Sequence, residues 1–198
     1  MAVSKTKAKL VDVARQLFAR AGVENTTMND IAVASKKGRR TLYTYFKSKE
    51  DIYMAVVESE LDMLFDSMSR VLERDTSPEE KILQLIFTHL NAVKEVVYRN
   101  GTLRANFFRD IWRVEKVRKN FDSKEIQLFR QILEDGQEAG LFQMDDIALT
   151  SEIIHYCLKG IEVPYIRGRI GTDLDMETRK KYVANIVFGA LRKTEINN

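Results

Sequence analysis

Apolar residues recur along this chain at three- and four-residue intervals, the spacing that lines up one face of an α-helix. From residue 4 to 21, Leu10, Val13, Ala14, Leu17, Phe18 and Ala21 keep that interval, and Gly22 follows where helices commonly stop. Residues 28–46, MNDIAVASKKGRRTLYTYF, predict two short helices joined by a tight polar break. Thr27 is placed to cap the first, and Asp30 sits in its first turn, where a carboxylate suits the helix dipole. Ile31, Ala32, Val33 and Ala34 make this helix small and apolar enough to pack closely. The break is Ser35-Lys36-Lys37-Gly38, with Gly38 expected to take the positive φ of a sharp turn. In the second helix Leu42 and Phe46 are i, i+4 neighbours and turn inward, leaving Arg39, Arg40, Thr41, Tyr43 and Thr44 outward.

The remaining pattern is helical throughout. Ser48 and Asp51 form a near capping box for a long fourth helix, which Ile52, Ala55, Val56, Ser59, Met63, Met68 and Leu72 carry to about residue 75. Ser77 and Pro78 open a fifth over 81–97, with Ile82, Leu85, Ile86, Leu90 and Val93 inward. A sixth over 101–117 is rich in aromatics, and Ser123 is expected to cap a seventh that runs through Phe129 to Ala139 and stops at Gly140. Asp145-Asp146 opens an eighth, which Pro164 ends or kinks, and the last spans 176–191. No alternation of strand type exceeds four residues. The expectation is an all-α chain of about nine helices: a three-helix head over 1–50 and a larger helical body over 51–198.

Composition narrows the function. The 198 residues are 44% hydrophobic and 31% charged, and only 2 Pro and 9 Gly interrupt them, which suits long helices. No window reaches the ~18 apolar residues of a membrane span, and the start of the chain does not read as a signal peptide. One cysteine, Cys157, leaves no intrachain disulfide, which fits a cytoplasmic protein. The net charge of +3 is uneven: residues 1–51 hold 11 Lys and Arg against 5 Asp and Glu. A basic head on a slightly acidic body points to a polyanion met at one end. Lys5, Lys7 and Lys9 lie where cations do not stabilise a helix, so they either meet phosphate or stand in solvent.

A charge run is commonly a solvated face, but here it coincides with a helix-turn-helix pattern. A short helix with an apolar seam and an exposed Arg, Thr and Tyr face is what a major-groove reader requires. Thr27, Asn29, Arg39, Arg40, Thr41, Tyr43, Thr44, Tyr45 and Lys49 are the candidate contacts to double-stranded DNA. There is no Gly-rich phosphate loop, nucleophile elbow, zinc-protease motif or paired-Cys motif, so an enzyme is disfavoured. No metal or cofactor is implied, and His89 and His155 are expected to be structural or surface histidines. The alternative is a helical protein-interaction module with an incidental basic head.

The stretches LFARAGVENTTMNDIA and TLYTYFKSKEDI, with Phe18, Gly22, Thr27, Ile31 and Ala32 in place, resemble the signature of the tetracycline-repressor (TetR) family of bacterial regulators. The match covers roughly residues 5–57. One departure stands out: the family's Gly-hydrophobic-Ser turn is replaced by Lys36, Lys37 and Gly38, which adds charge where phosphates would lie. The resemblance implies that Lys49 contacts phosphate and that a homodimer forms through the last two long helices. It also implies that a small-molecule effector moves the fourth helix and releases a palindromic operator. Ile153, Tyr156, Gly160, Val163, Val183, Ile186, Val187 and Ala190 are the candidate dimer residues, though the same residues would suit an ordinary core. Phe87, Leu90, Phe107, Phe108, Trp112, Phe129 and Tyr156 are candidates to line a pocket for an apolar or aromatic effector. Aromatics at helical spacing are commonly core; their crowding over 101–117 keeps a pocket in view.

Overall fold

The computed structural model describes residues 5–99 and 111–191, with backbone alone for 97–99 and 111–117. Among the described residues there are eight α-helices and no strand. They are α1 (Lys5–Ala21), α2 (Met28–Ala34), α3 (Arg39–Tyr45), α4 (Lys49–Leu72), α5 (Pro78–Arg99), α6 (Ile111–Glu138), α7 (Ile147–Ile166) and α8 (Met176–Leu191). No helix among them is long and apolar enough to cross a membrane.

The predicted ends hold where a local cap fixes them. Gly22 closes α1 at φ 87°, donating its N–H to Phe18 O at 3.0 Å. Before α4, the Asp51 carboxylate accepts from the N–H groups of Lys47 and Ser48, and Ser48 Oγ accepts from Asp51 N–H. Asp146 caps α7 by accepting from Leu149 N–H at 2.9 Å. The expected break at Ser123 does not occur, because α6 passes through it without interruption. A lone serine costs a helix interior only a few tenths of a kcal/mol, and neither Pro nor Gly occurs in α6 before Gly136. Residues 101–110 of the predicted sixth helix lie outside the described residues.

Two compact units divide the chain: Met1–Met63 with Glu95–Asn120, and Leu64–Lys94 with Phe121–Asn198. Residues of α4, α5 and α6 belong to both. In the first, Leu10, Ala14, Phe18, Ile31, Leu42 and Ile52 are fully buried in one cluster that joins α1, α2, α3 and α4. Each of the larger side chains here, Ala14 apart, contributes roughly 1.5–3 kcal/mol when taken out of water. Phe18 meets the Tyr53 ring edge-on, and Arg15 reaches Ser59 Oγ and Glu60 Oε1 on α4, each at 2.9 Å. In the second unit Phe129, Ile132 and Leu133 of α6 are fully buried. A Cβ on Gly136 would come within 2.1 Å of the Phe142 ring, so this position in the last turn of α6 admits only glycine at this packing.

Candidate nucleic-acid interface

The head sets an exposed basic face on a buried seam. Leu42 and Phe46 anchor α3 in the core, while Arg39, Arg40, Tyr43, Thr44 and Tyr45 are exposed and Thr41 is half-buried. Thr44 donates its hydroxyl to Arg40 O at 3.0 Å, which leaves its methyl and lone pairs outward. At the start of α2, Thr27 Oγ1 accepts from Asp30 N–H, and the Asp30 carboxylate accepts from the Thr27 hydroxyl and N–H, a reciprocal cap. The Thr27 hydroxyl, with the N–H beside it, holds the Asp30 carboxyl below its ordinary range. Asn29 is exposed beside it. Lys36, Arg39, Arg40 and Lys47 form no ion pair among the described residues, so their charge faces solvent unneutralised. Lys49 is placed differently: its ammonium donates to Val23 O at 2.8 Å and Glu24 O at 3.3 Å, tying α4 to the link after α1.

The turn between α2 and α3 corrects the expectation for Gly38. That residue is extended (φ −65°, ψ 147°) and caps α3; the positive φ, 55°, belongs to Lys36. Lys36 N–H donates to Val33 O and Lys37 N–H to Ala32 O, each at 3.0 Å. With Ser35 as the C-cap of α2, this is the Schellman closure, which puts its left-handed residue one place past the cap. The helix end, not the nearest glycine, selects the position.

In the second unit a chain of acids and bases runs between three helices, and the pattern of apolar spacing did not disclose it. His89 on α5 is buried, with Nδ1 donating to Glu125 Oε1 and Nε2 to Glu162 Oε1 at 3.0 Å. Glu125, on α6, also lies 2.7 Å through Oε2 from His155 Nδ1, on α7. His155 Nε2 is 3.6 Å from Asp122 Oδ1, whose other oxygen accepts from Lys159 Nζ at 2.7 Å. Each histidine therefore stands between two carboxylates. Burial disfavours the His89 imidazolium, but Glu125 and Glu162 outweigh it and raise its pKa to about 9. Burial likewise works against the Glu125 carboxylate, yet the bonds from His155 and His89 bring it to about 2. Two signals were available: His89 follows Leu85 by four residues on the inward face of α5, and Ser151, His155, Leu158 and Glu162 share one stripe of α7.

Of the pocket candidates, Phe87, Leu90 and Phe129 are buried in this unit. Phe107 and Phe108 lie outside the described residues, as does the side chain of Trp112. Tyr156 is 60% exposed, on the outward stripe of α7 with Ile153 and Gly160, while its neighbour His155 takes the inward place. On α8, Val183 and Val187 are half-buried, Ile186 and Ala190 are exposed, and Val163 of α7 is half-buried. Among the described residues no group of His, Cys, Asp or Glu is arranged to hold a metal ion.

Residues 10–56 match the model of bacterial regulatory proteins of the tetR family. A transcriptional repressor, KstR2 of Mycolicibacterium smegmatis, is 30% identical over 152 residues, which cover 74% of this chain and 72% of the relative. Two solved structures share the fold. A transcriptional regulator of Cytophaga hutchinsonii superposes with a TM-score of 0.74 at 22% identity, covering 93% of this chain and 97% of that one. The fatty acid degradation regulator FadR of Bacillus halodurans gives 0.71 at 19% identity, covering 98% and 100%. An exposed basic helix α3 on a capped helix-turn-helix, taken with these relatives, leads to one conclusion: this chain belongs to the tetR family and is a DNA-binding transcriptional regulator.

Proposed function

We propose that the chain is a repressor that grips a palindromic operator as a two-fold dimer and lets go when a small molecule enters its body. The observation that carries the reading is the unneutralised pair Arg39 and Arg40 beside exposed Tyr43, on a helix whose Leu42 and Phe46 are locked in the core. Arg offers a fork for guanine, Thr41 a hydroxyl or methyl, and Tyr43 and Tyr45 hydroxyls for phosphate. Repression is the role named for the KstR2 relative.

Dimerisation rests on α7 and α8. Only Leu191 is buried along the 16 residues of α8, while Tyr182 is 60% and Ile186 73% exposed. On α7, Leu149, Ile153 and Tyr156 form an outward apolar stripe that continues through Gly160. A helix this short gains its stability from packing, and a second copy of the same pair would supply it as a four-helix interface. Such a dimer sets two reader helices about one DNA turn, roughly 34–36 Å, apart.

Phe87, Leu90 and Phe129, buried in the second unit, are the proposed lining of an effector site that favours an apolar or aromatic molecule. α4 carries Lys49 at the head's edge and reaches Leu72, with residues in both units, and is the proposed route from effector to head. Selecting bound duplexes from a random pool tests the whole reading. A palindrome with half-sites one turn apart is the expected product. Arg39→Ala, Arg40→Ala and Tyr43→Ala should each lose about 1–3 kcal/mol of base discrimination with the fold intact. Full function without these side chains would instead favour a protein-interaction module.

A further inference from the structure

We propose that Lys36 is a contact to the DNA phosphate backbone, built into the turn between α2 and α3 and kept there against local main-chain preference; the assignment rests on the DNA-binding reading of the head. Lys36 has φ 55°, a conformation in which an L side chain crowds the following carbonyl oxygen. Glycine or asparagine commonly fills this place in a Schellman closure. A glycine does occur two residues later, but Gly38 is extended and leaves its freedom unused. Backbone economy therefore does not account for a lysine at the strained place.

Nor does a partner within the protein. The Lys36 side chain is exposed and makes no ion pair or hydrogen bond among the described residues. The nearest carboxylate in sequence, Asp30, is already engaged by Thr27. What surrounds Lys36 along the chain is more unpaired positive charge, at Lys37, Arg39 and Arg40. In helix-turn-helix docking the second helix enters the major groove by its N-terminal end while the first crosses the backbone. The turn that joins them is then held beside the phosphate diesters. An ammonium at that place gives a charge-assisted contact that is independent of base sequence. Strain gathered at a binding element is a recurring device, and here the binding gain would offset it.

Lys36→Gly and Lys36→Asn, made in the full chain, test the assignment, because both residues accept the left-handed conformation and neither carries charge. Binding is read against salt with a labelled 30-base-pair duplex of mixed sequence, and folding by thermal melting. The expected result is a melting temperature at or above the parent's with binding weaker by about five- to tenfold near 0.1 M salt, and a slope of log K against log salt flatter by about 0.9. Lys36→Arg should return the parent's slope. An unchanged slope in both neutral variants overturns the assignment, as does lost binding that merely accompanies a lowered melting temperature. A parent chain that binds no duplex even at low salt overturns the DNA-binding reading itself, an outcome separate from the other two.

Discussion

At the level of single residues, Lys49 joins the loop after α1 to the first turn of α4 through two carbonyl oxygens. A cation in a helix's first turn is poorly placed for the dipole, and these oxygens supply the offsetting attraction. Lys49→Ala should therefore destabilise the head by about 1–2 kcal/mol, the worth of a partly exposed charge-assisted contact. A melting curve checks this without DNA. An unaltered midpoint would leave Lys49 as a phosphate contact alone, through the hydrogen its ammonium does not use on Val23 or Glu24. What could be read from the sequence at this scale was whatever closes within four residues. The Thr27–Asp30 and Ser48–Asp51 caps and the Leu42–Phe46 seam all do. Lys36 escaped because glycine's preference pointed to Gly38, whereas the hydrogen bonds to Ala32 and Val33 fixed where the positive φ falls.

At the level of elements, α7 carries two stripes of opposite meaning. Its apolar residues Ile153 and Tyr156 face out, and its inward stripe holds His155 and Glu162. Hydrophobic spacing alone does not decide which of these faces is covered within the chain, and no local rule pairs His89 with a glutamate 73 residues later. The Ser123 cap signal failed for a related reason: α6 runs on through it with Phe121 and Glu125 buried on either side, and packing there outweighs one favourable serine. The acid–base chain makes stability depend on pH in a definite direction. His89 is raised from 6.5 to about 9, so its contribution is complete below 6.5 and disappears as pH climbs through about 9. Glu125 is lowered from 4.5 to about 2, so its contribution is complete above 4.5 and disappears as pH falls towards 2. From these two groups the body should be most stable between pH 4.5 and 6.5, and urea midpoints across pH would show it. Glu125→Ala leaves two buried histidines short of a carboxylate and should cost about 3–5 kcal/mol. A flat profile in the parent would remove the chain from the stability account.

At the level of the whole molecule, the all-helical plan and the head were legible because each helix announces itself by periodicity and caps. Which surfaces stay uncovered was legible in part: Ile153, Tyr156, Gly160, Ile186 and Ala190 are exposed, whereas Val163, Val183 and Val187 are half-buried, because that division depends on three-dimensional packing. The proposed dimer makes Ile186, 73% exposed in the single chain, a buried residue of the assembly. Ile186→Lys should give a folded monomer by sedimentation, with affinity for a two-half-site duplex reduced to that of one head; a dimer that persists would move the interface elsewhere. The exposed face of α7 also holds the chain's only sulfhydryl, Cys157, next to Tyr156. The protein thus comes with its own reporter. A maleimide dye should react quickly in dilute solution and progressively more slowly as subunits associate, whereas Ile186→Lys should stay fast throughout. The occupancy of that surface can be followed by labelling rate alone, with no foreign tag added.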